Sequence, residues 1–198
     1  MINYQQTLFL KSAAKLSQLL PDNVAEIAFA GRSNAGKSSC LNALTKRNLA
    51  RTSRTPGRTQ LINYFSLSEP DRYLVDLPGY GYAKVPVQLK AEWDIFLGQY
   101  LATRQSLRGI ILIMDIRHPF MPFDEQLLDW IYPRGLPVHI LLNKADKLSR
   151  GAQMSALKQV QKHLQQHYVA EPYTAQCFSA LRKVGVEEAE QVLNQWLE

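Results

Sequence analysis

The sequence predicts an α/β fold in which a mostly parallel, six-stranded sheet with one antiparallel edge strand carries helices on both faces. Short apolar runs alternate along the chain with longer segments of helical periodicity. The apolar runs are nearly continuous, which is typical of strands that are buried on both faces. The Gly- and Pro-rich turns of interest each follow the C-terminal end of such a run, where ligands bind in sheets of this kind.

The first predicted elements lead from a strand into a helix and then a loop. A strand at 24–30 runs through a Gly-rich turn into a helix that begins at Lys37. The segment 47–59 has no hydrophobic periodicity and is predicted to be a loop.

A hairpin signal follows this loop. Glu69-Pro70-Asp71 joins two strand-like runs and so supplies the antiparallel edge strand. The two strands of this hairpin are predicted at 61–68 and 72–77. The remaining predicted elements are a helix at 85–104, a strand at 107–116, a helix at 121–132, a strand at 138–143, a helix at 151–168, a strand at 174–179 and a helix at 185–197.

The length of 198 residues suits one domain, residues 24–198, with an N-terminal extension of residues 1–23 packed on it. Cys40 and Cys177 are far apart and have no metal-ligand spacing, which favours reduced thiols in a cytosol. We find no secretory signal and no run long enough to span a membrane. We therefore expect a cytoplasmic monomer without a membrane anchor.

Positive charge is concentrated in one acid-free window. The net charge is +6, and no acidic residue lies between Glu26 and Glu69. The window holds more lysine and arginine residues than one bound nucleotide needs, so it favours a nucleic-acid partner. The predicted RNA- or ribosome-binding residues are Lys46, Arg47, Arg51, Arg54 and Arg58.

The turn at residues 31–38, GRSNAGKS, has the G-x-x-x-x-G-K-[ST] pattern and lies between a strand and a helix. Its glycines allow successive backbone N–H groups to point at phosphates, and the helix N-terminus adds partial positive charge. Lys37 is expected to reach the β- and γ-phosphates, and the hydroxyl of Ser38 is expected to bind Mg²⁺ directly.

Asn143-Lys144-Ala145-Asp146 follows another strand and predicts a guanine reader. Guanine presents two neighbouring donors that one carboxylate accepts, so Asp146 is expected to discriminate guanine from adenine. Lys144 is expected to lie against the base and Asn143 to hold the loop. A backbone N–H of the segment 178–180 is a candidate donor to guanine O6.

Asp76-Leu77-Pro78-Gly79 ends a further strand. Asp76 is expected to hold Mg²⁺ through a water, and Gly79 is expected to donate its N–H to the γ-phosphate. Thr59 is the preferred direct Mg²⁺ ligand of the preceding loop, with Thr55 as the alternative.

Together these motifs, in this order, predict a guanine-nucleotide-binding P-loop domain. The predicted GTP-binding residues are Gly31, Arg32, Ser33, Asn34, Ala35, Gly36, Lys37, Ser38, Gly57, Arg58, Thr59, Gln60, Leu61, Asp76, Leu77, Pro78, Gly79, Asn143, Lys144, Ala145, Asp146, Phe178, Ser179 and Ala180.

With these motifs the chain resembles the EngB (YihA/YsxC) type of ribosome-biogenesis GTP-binding protein, within the TrmE–Era–EngA–septin-like group. The matching segments are GRSNAGKSS (31–39), TPGRTQLINYF (55–65), DLPGYGYAKVP (76–86) and NKADKL (143–148). The resemblance covers nearly the whole chain.

The resemblance implies a Ras-like P-loop G domain that binds GTP, GDP and Mg²⁺, hydrolyses GTP slowly and acts with the large ribosomal subunit or its rRNA during assembly. It also implies a need for the protein in normal cell division and septation. Two alternatives are a module that senses the GTP/GDP ratio with incidental hydrolysis, and a septation-associated structural G protein.

Tyr80 follows Gly79, where a Ras-like protein carries a water-positioning glutamine, so catalysis needs another source. Lys37 and Thr59 are the expected catalytic residues. Asn34 resembles the asparagine that binds K⁺ in potassium-activated members of the wider group, and K⁺ then acts in place of an arginine finger. The alternative is that Asn34 only shapes the loop.

Three other features have competing interpretations. Tyr80 and Tyr82 are expected to be exposed on a loop, where they either stack on RNA bases or a protein partner or pack locally. His163 and His167 lie at i, i+4 on a helix, and a solvated face is favoured over a metal site. Asp115 is expected to cap the turn that follows its strand.

Overall fold

Seven strands form one sheet in the computed structural model, which describes residues 2–49, 61–80, 87–169 and 173–198, without the side chains of 87–93. The strands are β1 (Leu8–Ala13), β2 (Ala25–Gly31), β3 (Ile62–Ser66), β4 (Arg72–Asp76), β5 (Leu107–Asp115), β6 (Val138–Asn143) and β7 (Tyr173–Cys177). The α-helices of the described residues are α1 (Lys37–Thr45), α2 (Val87–Thr103), α3 (Pro122–Ile131), α4 (Arg150–His167) and α5 (Val186–Leu197).

The strand order across the sheet is β1-β3-β4-β2-β5-β6-β7. The five strands from β4 to β7 in this order are parallel, and β3 runs antiparallel between β4 and β1. The predicted α/β class and the predicted hairpin are therefore confirmed. Each strand and helix predicted from residue 24 onward is present, with ends that differ by at most two residues. Most of the predicted loop at 47–59 lies outside the described residues.

The N-terminal strand β1 is the main difference from the prediction, which had six strands and left residues 1–23 as an extension. β1 pairs with β3, so β3 is one position inside the edge. Three consecutive residues of β1, Leu8, Phe9 and Leu10, are exposed, and the register shifts between Phe9 and Lys11. Such a strand has no alternation of buried and exposed side chains, so its sequence carries no period-two signal.

Helices cover both faces of the sheet, as the sequence predicts. On one face, Leu97, Leu128 and Leu164 of α2, α3 and α4 join one hydrophobic core. On the other face, Leu41 of α1 and Leu193 of α5 join a second core. The parallel strands, buried between these two layers, all point their C-terminal ends at one edge of the sheet, where the predicted motifs lie.

A buried ion pair lies near the start of β2. Glu26 is fully buried, and both of its carboxylate oxygens accept hydrogen bonds from the guanidinium of Arg104, which follows α2. Tyr100 donates a further hydrogen bond to Glu26 at 2.8 Å. Arg104 also reaches the backbone oxygen of Pro21 at 3.2 Å and Asp22 at 3.3 Å. This cluster fastens the end of α2 to β2 and to the segment that precedes it.

Two further expectations concern membrane segments and thiols. None of the helices in the described part of the chain combines the length and apolar character needed to cross a bilayer. Cys40, buried on α1, and Cys177, half-buried on β7, are both free thiols. Burial raises the pKa of the Cys40 thiol well above its usual range, which keeps it protonated.

Candidate functional site

The phosphate loop connects the last residue of β2 to the first residue of α1. A Cβ added at Gly31 would lie 2.8 Å from the backbone oxygen of Ile113, so no larger residue fits there. Gly36 has φ +97°, and a Cβ on it would meet the side-chain amide of Asn143. Asn34 also adopts a left-handed conformation, with φ 67°. The loop therefore needs glycine at both ends for steric reasons.

Two residues at the end of β6, Asn143 and Lys144, form hydrogen bonds with this loop. The Asn143 amide donates to the backbone oxygen of Ala35 at 2.8 Å and accepts from the amide of Ala180 at 3.2 Å. The Lys144 ammonium donates to the backbone oxygen of Asn34 at 2.6 Å. The turn thus connects the phosphate loop to the segment after β7.

Asp115, at the end of β5, caps the following turn and also holds Lys144. Its carboxylate accepts from the amide of Arg117 at 3.1 Å and pairs with Lys144 at 3.0 Å. Partial burial opposes ionisation, but hydrogen bonds from the Arg117 and Lys144 side chains outweigh it and lower the pKa of Asp115 well below its usual range. The expected cap is present, whereas the sequence contained no signal for the pairing with Lys144.

The predicted guanine reader, residues 143–146, contains one carboxylate, that of Asp146. Oδ1 of Asp146 accepts a hydrogen bond from the hydroxyl of Ser179 at 2.5 Å, and Ser179 is almost fully buried. This hydrogen bond is the main cause of the lowered pKa of Asp146, so the carboxylate is ionised and oriented.

The amides of the predicted O6-binding segment already have partners. Phe178 donates to the oxygen of Leu142 at 2.9 Å, and Ser179 donates to the oxygen of Val184 at 3.1 Å. Ala180 donates to Asn143, as described above. A donor to guanine O6 from this segment would therefore have to share or exchange its present hydrogen bond.

Lys37 and Asp76 face each other at the centre of the site. The ammonium of Lys37, on α1, forms an ion pair with Oδ1 of Asp76 at the end of β4, and both residues are buried. Ser38 is half-buried and directly follows Lys37. A carboxylate and a hydroxyl are the oxygen donors that suit Mg²⁺, so these residues fit the predicted metal. The described residues contain no group of three or more His, Cys, Asp or Glu side chains that suits a metal ion.

Tyr80 does not lie exposed, so the prediction of an exposed aromatic residue is wrong at this position. Its side chain is 6% exposed and contacts Phe123, with ring centroids 6.2 Å apart. Its hydroxyl donates to Oδ1 of Asp124 on α3 at 2.8 Å. Burial, followed by the charge of Asp124, raises the pKa of Tyr80 well above its usual value. The sequence did not indicate Asp124 as a site residue, because nothing local in it specifies a partner 44 residues away.

A cavity of about 210 Å³ lies beside the phosphate loop. Residues 32–35 and 113–115 line it, together with the side chains of His118, Asp124 and Lys144. The cavity therefore separates the loop from the start of α3, and Asp124 is common to the cavity and to the contact with Tyr80.

The histidine pair on α4 has aromatic and acidic neighbours. His163 stacks on Phe120 at a centroid distance of 3.9 Å and lies 3.7 Å from Glu125, whereas His167 is exposed. Burial and the neighbouring His167 lower the pKa of His163. The pair is thus packed in part against α3.

Some predicted site residues lie near the ends of the described segments, and others lie outside the described part of the chain. Lys46 and Arg47 are exposed at the end of α1, and Arg47 donates to the backbone oxygen of Gln5 at 3.2 Å. Leu61 is half-buried before β3, and Leu77 is buried after β4. The residues outside the description are Arg51, Arg54, Thr55, Gly57, Arg58, Thr59, Gln60 and Tyr82.

A family model described as "50S ribosome-binding GTPase" matches residues 26–144. The matched span begins in β2 and includes the phosphate loop, the Asp76–Gly79 turn and Asn143 with Lys144. It is more than half of the chain.

Solved structures with the same fold include GTP-binding proteins. A "probable GTP-binding protein engB" matches with TM-score 0.69 and 18% identity over 87% of this chain and 98% of that chain. Era, in complex with MgGDPNP and nucleotides 1506–1542 of 16S ribosomal RNA, matches with TM-score 0.65 and 22% identity over 88% of this chain and 57% of that chain.

The bacterial selenocysteine-specific elongation factor EF-Sec matches with TM-score 0.62 and 20% identity over 88% of this chain. The present chain spans 28% of that factor and 57% of Era. At these identities the likeness is one of fold.

Proposed function

Because this chain belongs to the family of 50S ribosome-binding GTPases, we propose that it is a GTP-binding switch that acts in assembly of the large ribosomal subunit. The observation that carries the proposal is the convergence at one sheet edge of the phosphate loop, the Lys37–Asp76 pair and the Asp146–Ser179 pair. We propose that the protein is of the EngB type and that residues 1–23 form an extension to a G domain of residues 24–198. In this proposal it acts as a cytoplasmic monomer and is also needed for normal cell division and septation.

The site residues have separate parts in this proposal. Backbone N–H groups of residues 31–38 and the ammonium of Lys37 bind the phosphates. The oriented carboxylate of Asp146 accepts the two donors of guanine. Ser38, Thr59 and Asp76 would hold Mg²⁺, which would supply charge neutralisation at the phosphates. Because Lys37 is paired with Asp76, binding of a Mg²⁺–nucleotide requires Lys37 to exchange this carboxylate for phosphate oxygens.

We expect the ribosomal subunit to be bound through phosphate contacts of the basic window. Co-sedimentation with separated subunits, in GDP and in a non-hydrolysable GTP analogue, tests this directly. Binding to the large subunit is expected with the GTP analogue. Arg51→Ala/Arg54→Ala is expected to weaken it and to reduce the slope of log affinity against log salt by about 2, because two phosphate contacts are lost.

Lys158→Ala/Lys162→Ala is the matched control, since it removes the same charge from exposed positions of α4. An equal loss in both double variants would contradict a specific role for the basic window. Sedimentation with membranes in place of ribosomes would favour the septation-associated structural protein.

Turnover by the isolated protein is expected to be slow, because Tyr80 is buried and bonded to Asp124 and so cannot orient an attacking water. Stimulation of hydrolysis by large subunits separates an enzyme switch from a module that only senses the GTP/GDP ratio. No stimulation would favour the sensing module.

We propose that Asn34 contributes to turnover by binding K⁺. Asn34 is exposed in the phosphate loop, and Lys144 bonds to its backbone oxygen and not to its side-chain amide. Wild-type turnover is expected to be higher in KCl than in NaCl at equal ionic strength, and Asn34→Ala is expected to abolish this difference. Asn23→Ala, at an exposed position before β2, is expected to retain it. Equal rates in both salts for the wild type would exclude the K⁺ role.

A further inference from the structure

Tyr80 directly follows Gly79 and is bonded to two separate parts of the domain. Its backbone oxygen accepts a hydrogen bond from the amide of Ser33 in the phosphate loop at 2.8 Å. Its hydroxyl donates to Asp124 on α3, also at 2.8 Å. One residue therefore connects the phosphate loop to a helix that carries none of the predicted nucleotide-binding motifs.

Asp124 is a rigid acceptor. It is 1% exposed, and while Oδ1 accepts from Tyr80, Oδ2 accepts from the amide of Met121 at 3.0 Å. Met121 immediately precedes α3 and Asp124 is the third residue of that helix, so the carboxylate is held by the helix start itself. Burial raises the pKa of Asp124, whereas the hydrogen bonds from Tyr80 and Met121 oppose this change. Each carboxylate oxygen of Asp124 thus already accepts a hydrogen bond, and the two bonds fix the orientation of the side chain.

Gly79 lies against the phosphate loop and has no side chain to orient it. A Cβ added there would lie 3.5 Å from the amide nitrogen of Ser33 and 3.7 Å from the backbone oxygen of Gly31. On its N-terminal side, the amide of Leu77 bonds to the oxygen of Phe29 at 3.0 Å. On its C-terminal side, the anchor is Tyr80. The Gly79 backbone is therefore held between Leu77 and Tyr80, and Tyr80 is itself held by its backbone oxygen and by its hydroxyl.

We propose that Tyr80 and Asp124 are positioning residues for the γ-phosphate contact: their hydrogen bond holds Gly79 against the phosphate loop before a nucleotide binds. This inference rests on the proposed function, in which the amide of Gly79 meets the γ-phosphate. An amide that is already ordered loses less conformational entropy when it forms the contact. GDP lacks the γ-phosphate, so the hydrogen bond favours GTP over GDP.

Tyr80→Phe tests the proposal, because it removes the hydroxyl and keeps a ring beside Phe123. Titration with fluorescent GDP and with a fluorescent non-hydrolysable GTP analogue is expected to show about a 10-fold loss of affinity for the analogue. Affinity for GDP is expected to stay within about twofold, since the Gly79 contact is absent from that complex.

Tyr168→Phe is the matched control. Tyr168 is also buried, and its hydroxyl donates to Oδ1 of Asp129, on the same helix, at 3.1 Å. Both variants lose a phenol-to-carboxylate hydrogen bond on α3, but only Tyr80 contacts the phosphate loop. The ratio of GTP-analogue affinity to GDP affinity is expected to change in Tyr80→Phe and not in Tyr168→Phe.

Asp124→Asn provides a second route, because one of its two polar atoms becomes a donor and cannot accept from both Tyr80 and Met121. It is expected to lower the same ratio, and the double variant Tyr80→Phe/Asp124→Asn is expected to lose little more than the larger single loss, since both act through one hydrogen bond. Thermal unfolding of each variant shows whether the fold is intact, and Asp124→Asn gives the readout if Tyr80→Phe is unfolded.

Equal losses for GDP and the analogue, or tighter analogue binding in Tyr80→Phe, would overturn the positioning role while leaving the GTP switch in place. A wild-type protein that binds neither nucleotide would overturn the proposed function and this inference with it.

Discussion

Replacing Asp146 with asparagine is expected to weaken GDP binding about 100-fold and to make xanthosine diphosphate the preferred ligand. In the native protein the carboxylate of Asp146 is ionised and oriented by Ser179. It can therefore accept from both guanine donors, and hydrogen bonds to charged groups contribute about 1.5–3 kcal/mol each. The side-chain amide of an asparagine keeps one oxygen that accepts a hydrogen bond. Its NH₂ group is a donor and would face the exocyclic amino group of guanine, which is also a donor. Xanthine has an oxygen at that position and accepts from this donor.

Isothermal titration of both nucleotides against wild type and Asp146→Asn measures this exchange. Asp71→Asn is a suitable control, because Asp71 is exposed at the β3–β4 hairpin and has φ 56°, a conformation that asparagine tolerates. Comparable GDP affinity in wild type and Asp146→Asn would mean that Asp146 does not read the base.

Replacing Arg104 with alanine is expected to lower the free energy of unfolding by about 3–5 kcal/mol. The loss arises because the fully buried carboxyl group of Glu26 is left without its guanidinium partner. Tyr100 still donates to Glu26, but one phenol does not replace the hydrogen bonds of the guanidinium. Urea unfolding of the wild type and the variant at neutral pH measures the difference.

Arg108→Ala is the control for this change. Arg108 lies on β5 and is exposed, so its loss is expected to alter stability by less than about 0.5 kcal/mol. If the two variants were equally stable, the Glu26–Arg104 pair would not be a main fastening point between β2 and the end of α2.

Much of the site could be predicted because its motifs are local. Gly31 and Gly36 are required by close backbone contacts and by a left-handed torsion, and both requirements are visible in the spacing of one loop. Asn143 and Asp146 follow a continuous apolar strand, which places them at the C-terminal edge of the sheet. Strand β1 was not predicted, because its exposed apolar residues show neither of the two periods that distinguish strands from helices.

The succession of strands and helices along the chain, the phosphate loop and the guanine reader thus follow from sequence patterns, since each depends on residues within a few positions of one another. Only the tertiary structure pairs Tyr80 with Asp124, Asp146 with Ser179 and Glu26 with Arg104. These partners are 33 to 78 residues apart, and sheet order and helix packing decide which of many polar side chains meet. A buried polar group must find a partner, but which partner it finds is a property of the packed fold.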